Sequence, residues 1–285
     1  MLVFNKSPNS NRVCLFSHFD LGCHIDPVVV HYLNSLKKVG LDIVVITTSP
    51  GLLERSIETV KDICHAIIHR ENIGMDFGSW QYAIRTLDLS HYDEILLAND
   101  SVFGPFRPLD NLFARIDESK CSLLGLTQSL QFAYHFQSYF LYFKKEVFKS
   151  EDFKDFWKQD IPIKKEDIIF KFELRIVEYF TSRGYTAEPL YPLDPVRQKF
   201  LTSYATPNDF ISTQVKRDTT WANPTVDRWE VLLRDFEFPF LKRELLTKNP
   251  GNYPNVSPWQ DCLKGNEEII GMIKNYLTSR NIAIL

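Results

Sequence analysis

Residues 70–80 read R-E-N-I-G-M-D-F-G-S-W, and residues 92–105 read Y-D-E-I-L-L-A-N-D-S-V-F-G-P. In the second stretch the apolar run Ile95-Leu96-Leu97-Ala98 ends abruptly in Asn99-Asp100-Ser101. A short apolar run of this kind is consistent with a strand buried on both faces of a parallel sheet. Open α/β sheets bind their ligands just beyond the carboxyl ends of the strands. An acid between an amide and a hydroxyl at that point is placed to meet a phosphate-bound metal or a sugar hydroxyl. The first stretch sets Gly74 and Gly78 around Asp76, in a polar turn where backbone can come close to a ligand. A helix-length segment separates the two stretches, and together they suggest a nucleotide-sugar site. The plainer alternative for Asn99-Asp100-Ser101 is a turn whose side chains bond their own backbone.

Working outward, strand-like and helix-like segments alternate. Val13 to His18 is an apolar run leading into Ser17-His18-Phe19-Asp20. Asp26-Pro27 then offers a cap and a proline for a helix start. Val29, Tyr32, Leu33 and Leu36 share one helix face, which Gly40 closes. Ile43–Thr47 and Ala66–Ile68 are β-branched strands, Pro50–Cys64 and Asp76–Leu87 carry helical periodicity, and Glu94–Ala98 is the fourth strand. This order implies βαβ units and a parallel sheet. There is no G-x-G-x-x-G loop and no G-K-[ST] loop, which excludes a dinucleotide oxidoreductase or a P-loop NTPase.

The second half changes character. Ser122–Thr127 and Phe136–Phe143 read as strands. Lys145–Trp157 and Lys164–Arg183 read as helices, the second capped by Gly184. Beyond Pro189, proline recurs at 192, 195, 207, 224, 239, 250, 254 and 258, which predicts much irregular structure within an irregular and helical elaboration. The expected organisation is a core over residues 1–190 and a C-terminal elaboration, 191–285, packed on its acceptor side.

At 285 residues, with 44% hydrophobic and 24% charged side chains, the composition is that of a globular protein able to bury a sizeable core. A net charge of −3 and a pI near 6.2 argue against a nucleic-acid partner, which needs a basic excess. Five scattered cysteines, at 14, 23, 64, 121 and 262, show no zinc spacing and read as reduced thiols of a cytoplasmic protein. The first dozen residues lack the apolar stretch of a secretory signal, and no run is long enough to span a bilayer.

Several blocks carry a resemblance. They are S-H-F-D (17–20), R-E-N-I-G-M-D-F-G-S-W (70–80), L-L-A-N-D-S-V-F-G-P-F (96–106) and H-F-Q-S-Y-F-L-Y-F (135–143). K-F-E-L-R-I (171–176), W-A-N-P-T (221–225) and F-P-F-L-K-R-E-L-L-T-K-N-P (238–250) follow. Each is weakly specific, but in this order and spacing, over roughly residues 12–250, the chain resembles the rhamnan-synthesis F family of polysaccharide glycosyltransferases. The resemblance implies an α/β, GT-A-like α/β/α sandwich with a mainly parallel central sheet. It also implies transfer of a sugar, often rhamnose, from a nucleotide diphosphate donor (dTDP-rhamnose favoured) onto a growing surface polysaccharide. A lipid-linked or oligosaccharide acceptor, and peripheral attachment at the cytoplasmic face of the inner membrane, belong to the same expectation. The alternative is a non-catalytic glycan- or nucleotide-binding module or scaffold subunit.

The resemblance assigns expected roles. Metal-dependent transferases of this fold carry D-x-D at a strand end, where this chain has Asn99-Asp100-Ser101. With one carboxylate, Asp100 is a candidate ligand for Mg²⁺ or Mn²⁺, and neutralisation of the diphosphate by basic side chains is the other possibility. His18, Asp20, Arg70, Asn72, Gly74, Asp76, Asn99 and Ser101 are expected around the donor. His135, Gln137, Ser138 and Tyr139 are expected around the acceptor. Inverting transferases need a general base, and counting back from Gly184-Tyr185 puts Glu173 in that place, with Glu166 and Asp167 as alternatives. Lys242 and Arg243 lie beside an aromatic patch, suited to a diphosphate or an anionic acceptor, or else form an exposed helix face.

Overall fold

The structure is a computed structural model describing residues 1–204, 223–249 and 256–282. Its centre is a sheet in the order β1-β4-β3-β2-β5-β9-β7-β10, with β8 pairing β7. The strands are β1 (Leu2–Asn5), β2 (Arg12–His18), β3 (Asp42–Thr47), β4 (Ala66–His69) and β5 (Glu94–Asn99) in the first half, with β6 (Val102–Phe103) outside this sheet. β7 (Leu123–Ser129), β8 (His135–Phe136), β9 (Phe140–Phe143) and β10 (Ala187–Tyr191) complete it. β4, β3, β2 and β5 run parallel. β9 is inserted antiparallel between β5 and β7, β10 is parallel to β7, and the edge strand β1 is antiparallel to β4. The α/β sandwich with a mainly parallel sheet is the fold the sequence predicts.

Alternation along the buried strands builds a core on each face. Cys14 and Phe16 of β2 face α1 (Pro27–Lys38), α4 (Asp110–Glu118) and the C-terminal helices, in one apolar cluster. Val13 and Leu15 face α3 (Met75–Thr86) and the helices of residues 145–181, in a second. α1 starts as expected, the Asp26 side chain accepting from the Val28 N–H with Pro27 in the first turn. The segment expected to be helical over Pro50–Cys64 is helical only as α2 (Glu54–Val60).

Four expectations are corrected. Phe136–Phe143 is two strands, because Gln137–Tyr139 turn the chain from pairing with the end of β7 to the place between β5 and β7. Lys145–Trp157 breaks at Ser150, whose side chain caps the second helix by accepting from Phe153 N–H. Lys164–Arg183 is a helical turn at Lys165–Ile168, a π turn at Ile169–Glu173 and a helix at Ile176–Thr181. The region past residue 190 is more helical than irregular among the described residues, as in Leu193–Ser203, Trp229–Asp235 and Glu267–Ser279. Three of its prolines start helices rather than prevent them: Pro192 and Pro258 are N-caps and Pro224 is a first residue. Pro189 lies within β10, which among the described residues pairs on one side only, the strand position that tolerates a missing donor. Pro207, Pro250 and Pro254, with Trp221 and Ala222 of the W-A-N-P-T block, lie outside the described residues.

Candidate functional site

The carboxyl ends of β2, β3 and β5 lie side by side, so Ser17, Thr47 and Asn99 share one edge. Asn99 does two things there. Its Oδ1 accepts from the N–H and hydroxyl of Ser101 (3.1 and 2.6 Å), which is the turn chemistry of the plainer reading. Its Nδ2 donates to Asp76 across 2.8 Å, so the same side chain also ties the strand end to α3.

Asp76 sits in the first turn of α3, behind the N-cap Gly74. Gly74 takes a left-handed φ of 78°, and a Cβ on Gly78 would lie 2.0 Å from the Ile73 carbonyl oxygen. Glycine at both positions lets the loop fold tightly onto the helix start. Burial pushes the Asp76 carboxyl up to about 6, opposed by hydrogen bonds from Ser17 and Asn99 and assisted by the charges of Asp100 and Glu173. Asp76, Asp100 and Glu173, from three elements far apart in sequence, are therefore electrostatic neighbours.

Packing explains how Glu173 arrives there. The rings of Phe77 and Phe172 stand 5.5 Å apart, which fixes the residues beside them, Asp76 and Glu173. The π turn, closed by Leu174 N–H to the Ile169 carbonyl at 3.0 Å, shifts the helix register by a residue just where Glu173 is presented; such turns recur at functional positions. Glu173 Oε1 accepts from the Ser138 N–H (3.2 Å) and hydroxyl (2.8 Å). Glu166 and Asp167 are exposed on the preceding turn, away from these contacts.

On the other face of the sheet the acids carry partners. Asp100 forms a 3.2 Å ion pair with Arg243, and Asp20 pairs with Arg280, which also reaches Asp26 at 3.3 Å. Although burial alone would raise it, the Asp20 carboxyl is held below its ordinary value by the hydrogen bond and charge of Arg280. His18 is buried, 3.0 Å from the Thr47 hydroxyl. Burial depresses its pKa against the opposing charge of Asp100, which favours the neutral imidazole.

The remaining candidates are placed differently. Arg70 turns onto its own loop, donating to the Ile73 carbonyl at 3.0 Å beside the Tyr82 ring, and Asn72 is exposed. His135, Gln137 and Tyr139 are only 7%, 5% and 1% exposed. His135 Nδ1 meets the Ala133 carbonyl, Gln137 accepts from Thr127 and Thr225, and the Tyr139 hydroxyl meets Thr127. Of the four residues expected at the acceptor, Ser138 alone faces the acidic cluster. Sequence reasoning missed Ser17, Tyr276 and Arg280; Ser17 stands inside a quoted block, but nothing local marks the other two. Among the described residues no three His, Cys, Asp or Glu side chains converge to hold a metal ion. No described helix is long and apolar enough to cross a membrane.

The fold defines the class, an α/β protein with a mainly parallel central sheet. The chain belongs to the rhamnan synthesis protein F family, whose model matches residues 43–255. It is 29% identical over 301 residues to virulence protein VirA of Vibrio anguillarum, covering 96% of this chain and 93% of that one. It is 29% identical over 176 residues to the uncharacterized protein y4gN of Sinorhizobium fredii, covering 59% and 45%. Among solved structures it is similar to mannosyltransferase PcManGT of Pyrobaculum calidifontis, in complex with GDP-Man and Mn²⁺ (TM-score 0.43, 10% identity, 82% and 65% covered). Residues 1–349 of S. aureus TarS give a TM-score of 0.43 at 10% identity, with 92% and 82% covered.

Proposed function

We propose that this protein transfers a sugar, rhamnose or another deoxyhexose, from a nucleotide diphosphate donor to a hydroxyl of a growing surface polysaccharide, with inversion. dTDP-rhamnose is the first donor to test. The observation that carries this reading is Asp76, hydrogen-bonded to Asn99 at the carboxyl end of β5 and within electrostatic reach of Asp100 and Glu173, at an edge where sheets of this kind take their ligands.

In a single displacement the acceptor oxygen forms its bond to the anomeric carbon as the bond from that carbon to the diphosphate oxygen breaks. The acceptor proton must go to a base. We assign that role to Glu173, whose carboxylate is aimed by the two hydrogen bonds from Ser138. Asp76, Asn99 and Ser101 line the donor side, with Asp100 positioning the donor. His18 and Asp20 border the nucleotide end.

Residues 1–190 form the donor and catalytic part in this reading, and 191–285 flank the acceptor. The second segment also serves the donor end, because it supplies Arg243 and Arg280. A lipid-linked or oligosaccharide acceptor would bring the protein to the cytoplasmic face of the inner membrane. The test is turnover of a donor panel (dTDP-rhamnose, UDP- and GDP-sugars) by wild type and Glu173→Gln. Loss of turnover with donor affinity retained supports the assignment; near-normal turnover sends the search for the base to Asp167 or Glu166.

A further inference from the structure

Arg243 is held in place from several directions. β11 (Leu241–Lys242) pairs antiparallel with β6, and the Arg243 N–H donates to the Ser101 carbonyl at 2.9 Å. This close approach requires Gly104, where a Cβ would lie 2.4 Å from the Pro239 carbonyl oxygen. The guanidinium meets Asp100 at 3.2 Å and the Tyr276 hydroxyl at 3.3 Å. Its Cζ lies 5.3 Å from the Phe103 ring centroid and 4.7 Å from that of Tyr276. Its Nε is buried with no hydrogen-bond partner among the described residues. Arg280 stacks on the same Tyr276 ring at 3.7 Å. With Arg55 and Lys248, the two arginines line a cleft of about 1030 Å³ beside the end of β2.

A divalent cation fits this strand end poorly. Hard cations want several oxygen ligands, yet the one carboxylate in the D-x-D place is occupied by a guanidinium. Arginine is charged at any working pH, and its fork matches phosphate oxygens without further ligands.

Building on the nucleotide-diphosphate donor assigned above, we propose that Arg243 binds and neutralises the donor's diphosphate in the place a divalent cation would take. Asp100 and Tyr276 are then positioning residues that set the guanidinium, and the departing diphosphate leaves with its charge matched by Arg243.

The test is calorimetric titration of wild type, Arg243→Lys and Arg243→Gln with dTDP, UDP and GDP, each in EDTA and in Mn²⁺, alongside the matching nucleosides. At least one diphosphate should bind wild type equally in EDTA and in Mn²⁺. Arg243→Gln should weaken it by ~10–100-fold, the range of a charge-assisted hydrogen bond, while leaving the nucleoside unaffected, and Arg243→Lys should fall between. The wild-type comparison stands even if a variant misfolds. Binding that appears only with Mn²⁺, or that survives Arg243→Gln in EDTA, overturns this inference and leaves the transferase reading intact. Failure of all three diphosphates to bind in either condition overturns that reading and this inference with it.

Discussion

The two sides of the same strand ends treat acidic residues in opposite ways. On the α3 side, Asp76 and Glu173 have no salt bridge among the described residues and are stabilised by hydroxyl, amide and backbone donors from Ser17, Asn99 and Ser138. On the α1 side, Asp20, Asp26 and Asp100 are each matched to a guanidinium, and both guanidiniums stack on Tyr276. Carboxylates that repel one another and lack a cation are suited to taking a proton. Carboxylates neutralised by arginine serve instead to place positive charge. In the sugar transfer we propose, the difference divides the labour, with proton removal on one side and diphosphate binding on the other.

The largest effect should come from the acidic side. Replacing Glu173 by Gln removes the base and should lower turnover by ~10²–10⁴-fold with donor affinity nearly unchanged, while Asp167→Asn, on the exposed turn, should leave both intact. Steady-state kinetics with a donor titration reads the two quantities separately.

A smaller effect concerns Asp76. Burial pushes its carboxyl up to about 6 from an ordinary value of 3.8, so the folded state holds the proton more tightly than the unfolded chain. Its stabilising contribution is fully present below pH ~4 and is lost as pH rises through ~6. Asp76→Asn abolishes that loss. Its stability relative to wild type should improve by about 1–2 kcal/mol between pH 4 and 7, allowing for partial exposure, as read by denaturant titration at each pH. A difference that is flat across this range would remove Asp76 from the uncompensated side.

The smallest effect is at Ser138. Alanine there removes the hydroxyl that donates to Glu173 but keeps the backbone N–H. One net hydrogen bond is worth about 1 kcal/mol, so kcat should fall by roughly tenfold or less with donor affinity unchanged. A change in donor affinity instead would place Ser138 on the wrong side of the comparison.

Much of this was legible in the sequence. Short apolar runs ending in polar residues located β2, β3, β4 and β5, because strands buried on both faces must be apolar throughout. The glycines around Asp76 and the polar end of β5 marked two members of the cluster. Glu173 followed from the family resemblance. The arginine side was only half visible. Arg243 was marked by its aromatic neighbours, but its partner Asp100 is 143 residues away and Arg280 is 260 residues from Asp20. No local periodicity encodes such pairings; they arise when β11 pairs with β6 and the helix Glu267–Ser279 packs against α1. Of the residues expected at the acceptor, His135, Gln137 and Tyr139 are buried on internal partners, Gln137 and Tyr139 in the network around Thr127, because of the turn at 137–139. Sequence spacing alone does not show where that turn falls.

The central claim is that proton removal and diphosphate binding lie on opposite sides of one strand edge. It is tested most directly by measuring kcat and donor Kd for Glu173→Gln and Arg243→Gln side by side, with the donor the wild type accepts. The account predicts a double dissociation: Glu173→Gln loses kcat and keeps Kd, whereas Arg243→Gln weakens Kd by ~10–100-fold. Two variants that lose the same quantity, or a Glu173→Gln protein that turns over normally, would contradict it.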